Sequence, residues 1–571
     1  MFPLHEPMPD DVRAELSAYD DLTAALLWRR GMRTRGDAER FLAPSYDDHL
    51  HDPLSMTDMK KAAVRLARAV TSNEQIAVWS DYDCDGIPGG VLMHDFLKKC
   101  GATFENYIPH RHLEGYGVNA SGVEKLAARG ITLLLTIDSG ITDLEAVARA
   151  NELGMDVIVT DHHLPGAELP PAFAVVNPNA RADEPYPFKG LCGSGVAWKL
   201  ACATLAVSPE LRARVPVGWE KWLLDMVGLA TIADMVPLSD ENRVLANFGL
   251  RVMRKSPRIG LQKLLRACRV EQRALSEDDV GFMVAPRVNA ASRMGSADDA
   301  FRLFTTTDES EADALAKKLE AANRKRKAEA GAITRAVHAR LKERELRSVI
   351  ALGDPEWRPA LLGLVANTIA DEYERPVFLW GREGNNSLKG SVRSSTVHAL
   401  ELMRAAENIF ADFGGHAAAG GFTVLETEIH FLEDRLVAAH ERLSASGRVS
   451  DSLMLRADAI IDIAEATGTM LKHMERLSPF GMENPKPLFL VRDALVSSVS
   501  RFGKSDEHLK LRFDAGGLAV DGVAFFAKGA LARTAASLHP GSKAQVLAHL
   551  ERDSFSRGTP VRLRLVDIRV A

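Results

Sequence analysis

Three short apolar runs in the first third of the chain each lead directly into acidic or histidine residues, and this repeat constrains the fold more than any other feature. Residues 75–80 (QIAVWS) run into Asp81, Asp83 and Asp85; residues 131–137 (ITLLLTI) run into Asp138; residues 155–160 (MDVIVT) run into Asp161, His162 and His163. A short, continuously apolar run is the form of a strand buried on both faces. The intervening stretches, 91–100 and 142–153, read as helices. Strands alternating with helices predict a parallel sheet with right-handed crossovers. The carboxyl ends of neighbouring strands in such a sheet line one crevice, so clusters roughly 25 to 55 positions apart in sequence are expected to meet.

A single aspartate after a strand can equally be a helix N-cap. Capping does not account for all three clusters together, because four or more carboxylates in one crevice repel unless cations lie between them. Oxygen-rich ligands with one or two imidazoles suit Mn²⁺ or Mg²⁺ better than a thiolate-seeking metal. Asp234, in GLATIADMVPL, is a further carboxylate that reads as a ligand or as a cap at a helix end.

At 571 residues the chain exceeds what one core usually fills. An N-terminal helical segment (1–70) is expected to precede a catalytic α/β domain with a parallel sheet (71–308). A proline-free Ala/Lys/Glu/Arg stretch (309–347) reads as a long connecting helix, followed by a smaller α/β domain (348–447) and a C-terminal β-barrel (452–571). Within these, 361–373 looks helical, and 376–380, 509–513 and 561–566 look like strands.

Five cysteines without a CxxC pair suggest neither a disulfide framework nor a structural zinc site. No apolar run reaches the length of a membrane span, and the start lacks a signal-peptide layout, so a cytoplasmic location without membrane contact is expected. With a net charge of −6, any nucleic-acid binding must come from a local basic groove.

The ordered set DYDCDG, EGYG (114–117), DSG and DHH resembles the DHH phosphoesterase superfamily. APRVNAASRMG (285–295), GSVRS (390–394), GGHAAAGGF (414–422) and PFGMENPKP (479–487) extend the resemblance to the bacterial single-strand-specific exonucleases of the RecJ family. The resemblance implies a DHH domain, a DHHA1 domain and an OB-like barrel. It implies a 5′-to-3′ exonuclease on single-stranded DNA that releases nucleoside 5′-monophosphates in repair and recombination, using two Mn²⁺ or Mg²⁺ ions. The implied metal ligands are Asp81, Asp83, Asp85, Asp138, His162 and Asp234, with Asp138 as the shared carboxylate and Asp161 completing the cluster. Asp85, Asp138, His162 and His163 would form the catalytic centre, with His163 against the scissile phosphate. Arg287, Asn289 and Arg293 match positions along the substrate path, and Ser391, Arg393 and His416 match phosphate-binding positions. A single-strand-binding protein and a helicase are implied partners.

Two departures from the family pattern bear on substrate contacts. Pro88, Gly89 and Gly90 replace hydroxyl-bearing residues after the first acidic motif, which could alter the helix start. Arg358, Pro359 and Ala360 stand where a His-x-Gly element is common. The LCGSG stretch (191–195) reads as a helix start capped by Ser194, or as a phosphate nest, and NRKRK (323–327) as a solvated helix face or a phosphate contact. Two rival readings stay open: a short-oligonucleotide or cyclic-dinucleotide phosphodiesterase, and a non-catalytic single-strand-binding scaffold.

Overall fold

The computed structural model describes residues 2–382, 387–445, 455–503, 506–515, 518–527, 529–553 and 561–570. They fall into two compact units. One comprises Pro44–Glu329 and Pro479–Asn484; the other comprises the chain up to Ala43, Ala330–Ser478 and Pro485–Ala571.

The first unit is built on five parallel strands: β1 (Gln75–Ser80), β2 (Thr103–Tyr107), β3 (Leu133–Ile137), β4 (Asp156–Thr160) and β5 (Ala174–Val176). Their order is β2-β1-β3-β4-β5, which puts a topological switch point between β1 and β3. Ser80, Ile137 and Thr160 lie level across β1, β3 and β4. The ladder continues one residue further: the Asp81 N–H donates to the Ile137 carbonyl at 3.2 Å and the Asp138 N–H to the Thr160 carbonyl at 2.9 Å. Asp81, Asp138 and Asp161 therefore leave the sheet side by side. Helices cover both faces, and the apolar strand residues Ile76, Val78, Leu133, Leu135 and Ile158 are fully buried on one side.

The edge strand β2 (TFENY) is only half buried and has no continuous apolar run, so the sequence pattern does not announce it. The helix Gly86–Cys100 starts five residues earlier than expected. Pro88, Gly89 and Gly90 lie within it and leave its start regular. Their small size is used: a Cβ on Gly89 would lie 2.5 Å from Ile137 Cγ2, and one on Gly90 2.6 Å from Ser80 Oγ.

The expected long connecting helix is Glu309–Lys342, and the division between units falls inside it. NRKRK is split between its faces: Asn323 is buried and accepts from Arg326, while Arg324 and Lys325 are exposed beside Glu320 and Glu329.

The second unit holds a sheet of order β6-β7-β8-β10-β9, made of β6 (Ile350–Gly353), β7 (Val377–Arg382), β8 (Leu388–Arg393), β9 (Phe410–Gly415) and β10 (Ala419–Val424). The helix Pro359–Tyr373 packs on it, with Pro359 in the first turn, where its missing N–H costs nothing.

The barrel strands are β11 (Ala459–Ile461), β12 (Phe489–Phe502), β13 (His508–Ala515), β14 (Leu518–Ala524), β15 (Lys543–Arg552) and β16 (Val561–Val570). Pairing of β12 with β15 closes the sheet. The expected boundaries at 447 and 452 lie outside the described residues.

The N-terminal segment is not one piece, as the 1–70 expectation had it. Residues up to Ala43 join the second unit, where the His5 N–H donates to the Ala457 carbonyl at 3.1 Å and Arg29 pairs with Asp458 at 2.9 Å. The helix Met59–Thr71 instead packs on the helix Gly193–Val207 and on β5 of the first unit. Among the described residues all five cysteines are free thiols, and no helix is long and apolar enough to cross a membrane.

Candidate metal centre

Asp81, Asp83 and Asp85 sit in a tight turn between β1 and the helix Gly86–Cys100. A Cβ on Gly86 would lie 2.5 Å from the Asp81 carbonyl oxygen, so only glycine lets the chain fold back this closely. The Asp83 carboxylate accepts the N–H groups of Asp85 (2.8 Å) and Gly86 (3.1 Å). Asn289 accepts the Cys84 N–H at 3.0 Å and so pins the turn from the helix Ala285–Met294.

Asp85 reaches across to the start of the helix Gly193–Val207. It accepts the Gly193 N–H at 2.6 Å and the Ser194 N–H at 2.8 Å, and the Ser194 hydroxyl donates to its carbonyl at 2.6 Å. The LCGSG stretch is thus a helix start, but its N-cap residue is Cys192 and Ser194 lies inside the helix. The capping oxygens come from Asp85, because a carboxylate at a helix N-terminus satisfies orphan N–H groups and meets the favourable end of the dipole.

Asp138 follows β3 with φ +60°, a left-handed conformation that costs a non-glycine residue free energy and that clusters at functional sites. Its Oδ1 lies 3.2 Å from His162 Nε2 and 3.8 Å from His163 Nδ1. His162 Nε2 is also 3.7 Å from both Asp85 and Asp234. Asp234 arrives at the C-terminal end of the helix Leu224–Ala233.

Asp161 plays a different part from its neighbours. Its two oxygens accept the N–H groups of His162 (2.7 Å), His163 (3.1 Å) and Ile141 (3.1 Å) and face His163 Nδ1 at 2.8 Å. It orients the histidines, and His163 keeps Nε2 for other partners. The carbonyls of His163 and His162 are held by Asn177 and Asn179 at 2.9 and 2.8 Å.

The electrostatics follow from crowding. Burial, and after it the charges of Asp85, Asp83 and Asp81, hold the Asp138 carboxyl well above its ordinary range. Burial and Asp83 do the same for Asp81, and burial with Asp85 and Asp83 pushes Asp234 up to about 9. Burial would also raise Asp161, but the hydrogen bond and charge of His163 outweigh it and bring it down. Burial would lower His163, but the hydrogen bond and charge of Asp161 outweigh it and push the ring up to about 9.

The donor set fits a divalent cation. Asp81 Oδ1 and Asp138 Oδ1 are buried without a hydrogen-bond partner, and a cation beside them would satisfy both. Three groups have ligand atoms mutually within 4.8 Å: Asp81, Asp83 and Asp138; Asp85, His162 and Asp234; Asp138, His162 and His163. That spacing matches ligands at about 2.1 Å on either side of one ion.

The other expected site residues are placed as follows. Arg287 is buried, with Nε on Glu320 at 2.6 Å and Nη1 on the Met283 carbonyl at 2.6 Å, so it braces one helix against another. The Arg293 carbonyl faces His112 Nε2 at 3.2 Å. In the other unit, a Cβ on Gly363 would lie 2.8 Å from Arg393 Nη2 and 3.5 Å from Ser391 Oγ, which places the two side chains together. Arg393 is lowered from its ordinary pKa by burial and donates to the Val392 carbonyl at 2.8 Å. It lies opposite Ala419, and the exposed His416 sits in the adjoining β9–β10 turn.

Sequence reasoning missed Tyr116. Its hydroxyl donates to the Asp138 carbonyl at 3.2 Å and lies 3.2 Å from His163 Nδ1. The EGYG motif was the available signal.

A parallel sheet with acidic and histidine clusters at its switch point, carrying the DHH sequence after β4, defines a DHH-type phosphoesterase. The model of the DHH family, N-terminal domain, matches residues 75–231; the DHHA1 domain matches 327–444 and the RecJ OB domain 457–567. Single-stranded-DNA-specific exonuclease RecJ of Bacillus subtilis (strain 168) is 34% identical over 574 residues, covering 100% of this chain and 70% of that protein. Its counterpart in Escherichia coli (strain K12) is 31% identical over 544 residues, covering 90% of each. The crystal structure of RecJ in complex with Mn²⁺ from Thermus thermophilus aligns with a TM-score of 0.80 at 30% identity, over 100% of this chain and 79% of that one. A Mg²⁺ complex from the same organism aligns at 0.75 and 28% identity, over 100% and 78%. The chain belongs to the RecJ family of single-stranded-DNA-specific exonucleases.

Proposed function

We propose that the chain degrades single-stranded DNA from the 5′ end, releasing nucleoside 5′-monophosphates, with Mn²⁺ or Mg²⁺ as cofactor. The observation that carries the reading is the convergence of Asp81, Asp83, Asp85, Asp138, His162 and Asp234 at the ends of β1, β3 and β4 and of one helix. Asp138 belongs to two of the three ligand groups, which supports its role as the carboxylate common to two ions.

Bound divalent ions lower the pKa of a water and stabilise charge on the phosphate and leaving oxygens. The chain's own residues do the rest. Asp83 and Asp85, held by backbone N–H groups, present fixed carboxylate oxygens. Asp161 fixes the His163 ring, whose side chain is 43% exposed and free to meet a phosphate through Nε2. Arg393, deprived of bulk water and without an ion-paired carboxylate among the described residues, would serve with Ser391 and His416 to hold a phosphate of the strand. Asn289 and Arg287 position the acidic turn and its supporting helix, and Arg293 would line the strand's path. No nucleophilic side chain with a positioned base is needed for this chemistry.

The domains are read as 71–308 for catalysis, 348–447 for phosphate binding and 452–571 for single-strand binding. Action in the cytoplasm, in repair and recombination, alongside a single-strand-binding protein and a helicase, completes the proposal. The test is digestion of oligonucleotides labelled at either end, with Mn²⁺ or EDTA, by the native protein and by Asp138→Ala. Release of 5′-label as mononucleotide, abolished by EDTA and by the substitution, is expected. Intact strands with retained binding would favour a scaffold, and attack confined to very short oligomers would favour an oligonucleotide phosphodiesterase.

A further inference from the structure

The helices Leu224–Ala233 and Asp240–Met253 form an antiparallel pair. A Cβ on Gly249 would lie 2.5 Å from Gly228 Cα and 2.8 Å from the Leu224 carbonyl, so the end of the second helix meets the start of the first. Asp234 of the metal centre lies at the opposite end. Fourteen residues of helix span about 20 Å, which separates the two ends.

At the end remote from Asp234, the last turn of the second helix, the loop after it and the short turn Gln272–Ala274 enclose an open cleft of about 600 Å³. Four cations line it, Arg251, Arg254, Lys255 and Arg273, and no carboxylate does. None of the four is ion-paired among the described residues. Arg258, nearby in sequence, shows the usual alternative: it is buried against Asp225 at 3.0 Å and Asp95 at 2.9 Å.

The walls of the cleft are built. Arg254 Nε donates to the Leu275 carbonyl at 2.8 Å, and Arg251 lies over the Phe248 ring at 4.8 Å. Gln262 and Gln272 both donate to the Ser256 carbonyl, at 3.1 and 2.9 Å, tying the turn to the neighbouring helix.

Free carbonyls at the end of a helix favour cations, which accounts for Arg251, Arg254 and Lys255. Arg273 comes from a separate element and adds a fourth positive charge where like charges repel. In a chain of net charge −6 this concentration gives the cleft a local positive potential that favours a multivalent anion.

We propose that the cleft binds a compact polyphosphate group, inorganic or carried on a nucleoside, at a site separate from the metal centre. Its volume is that of a single small-ligand site. Guanidinium forks match closely spaced phosphate oxygens, whereas the phosphates of a strand each carry one charge and stand farther apart.

The test is isothermal titration calorimetry of the full chain with inorganic tripolyphosphate in EDTA buffer, since the cleft requires no metal. One site is expected, with affinity weakened about tenfold or more by the combined changes Arg251→Gln, Lys255→Gln and Arg273→Gln. The same protein should keep its melting temperature without ligand and its nuclease rate in Mn²⁺. Arg273→Gln alone should weaken binding partially, and Arg251→Lys with Arg273→Lys should retain it. A nucleoside triphosphate binding more tightly than tripolyphosphate would identify a nucleotide ligand; equal affinity would identify the phosphate chain as the ligand. The proposal is overturned if tripolyphosphate does not bind, if the triple change leaves binding intact, or if that change weakens affinity for single strands alone.

Discussion

Gly193 approaches Asp138 more closely than any side chain could. A Cβ there would lie 2.6 Å from Asp138 Cβ, 2.7 Å from its Oδ1 and 2.9 Å from its Cα. Ordinary contact begins at 3.4 Å, so Gly193→Ala requires a relative movement of about 0.8 Å between the helix start and Asp138. The same residue donates its N–H to Asp85, so one methyl group disturbs two of the acidic residues at the centre. A misplacement of about 1 Å at a reacting centre costs on the order of 10²-fold in rate. The expected outcome is a fall in kcat of roughly 30- to 100-fold in saturating Mn²⁺, with an overpacking cost of about 1–3 kcal/mol in stability. Gly195→Ala is the control, because its nearest contacts would be an ordinary 3.4 and 3.7 Å. The assay is steady-state digestion of a labelled single strand, alongside a melting curve. A Gly193→Ala protein within about threefold of wild type, or a Gly195→Ala protein equally impaired, would refute the argument.

Further outcomes follow from the same structure. Mn²⁺ should raise the melting temperature, by an amount equivalent to about 2.7 kcal/mol at a hundredfold excess over Kd, and Asp138→Asn should shrink that shift; differential scanning fluorimetry reads both. Tyr116→Phe removes the hydroxyl beside Asp138 and His163, and should lower kcat about tenfold with little change in KM, as steady-state kinetics would show. His549 is partly buried with Nδ1 on the Pro487 carbonyl at 2.8 Å, and loss of solvent around the ring lowers its pKa below 6.5. The unfolded state therefore binds the extra proton first, and this contribution to stability, complete above pH 6.5, is lost as pH falls through the folded value. Urea unfolding at several pH values should show that slope in wild type and not in His549→Asn.

The positions of Asp81, Asp138 and Asp161 were legible because β1, β3 and β4 are buried on both faces and so read as unbroken apolar runs stopped by charge. Asp234 was ambiguous by the same logic, since a helix end supplies no such contrast. Neither the capping of the helix Gly193–Val207 by Asp85, more than a hundred residues earlier, nor the grip of Asn177 and Asn179 on the two histidine carbonyls leaves a local pattern. Arg287 was placed along the substrate path by the resemblance of its motif alone; its pairing with Glu320 depends on how two helices pack and leaves no local pattern. The strand β2 escaped notice because an edge strand needs no continuous apolar run. The N-terminal helices gave no sign of which unit they join, because amphipathic helices record that a face is buried and not against what.

The central claim is that the clustered carboxylates and histidines hold the ions that drive hydrolysis. Anomalous diffraction at the manganese edge, from crystals grown with Mn²⁺, tests it most directly. Two peaks are expected, each about 2 to 2.5 Å from its ligands, with Asp138 common to both: one beside Asp81 and Asp83 and one beside Asp85, His162 and Asp234. Peaks elsewhere on the chain, or a crevice without anomalous density while the crystals' protein degrades single strands in solution, would contradict it.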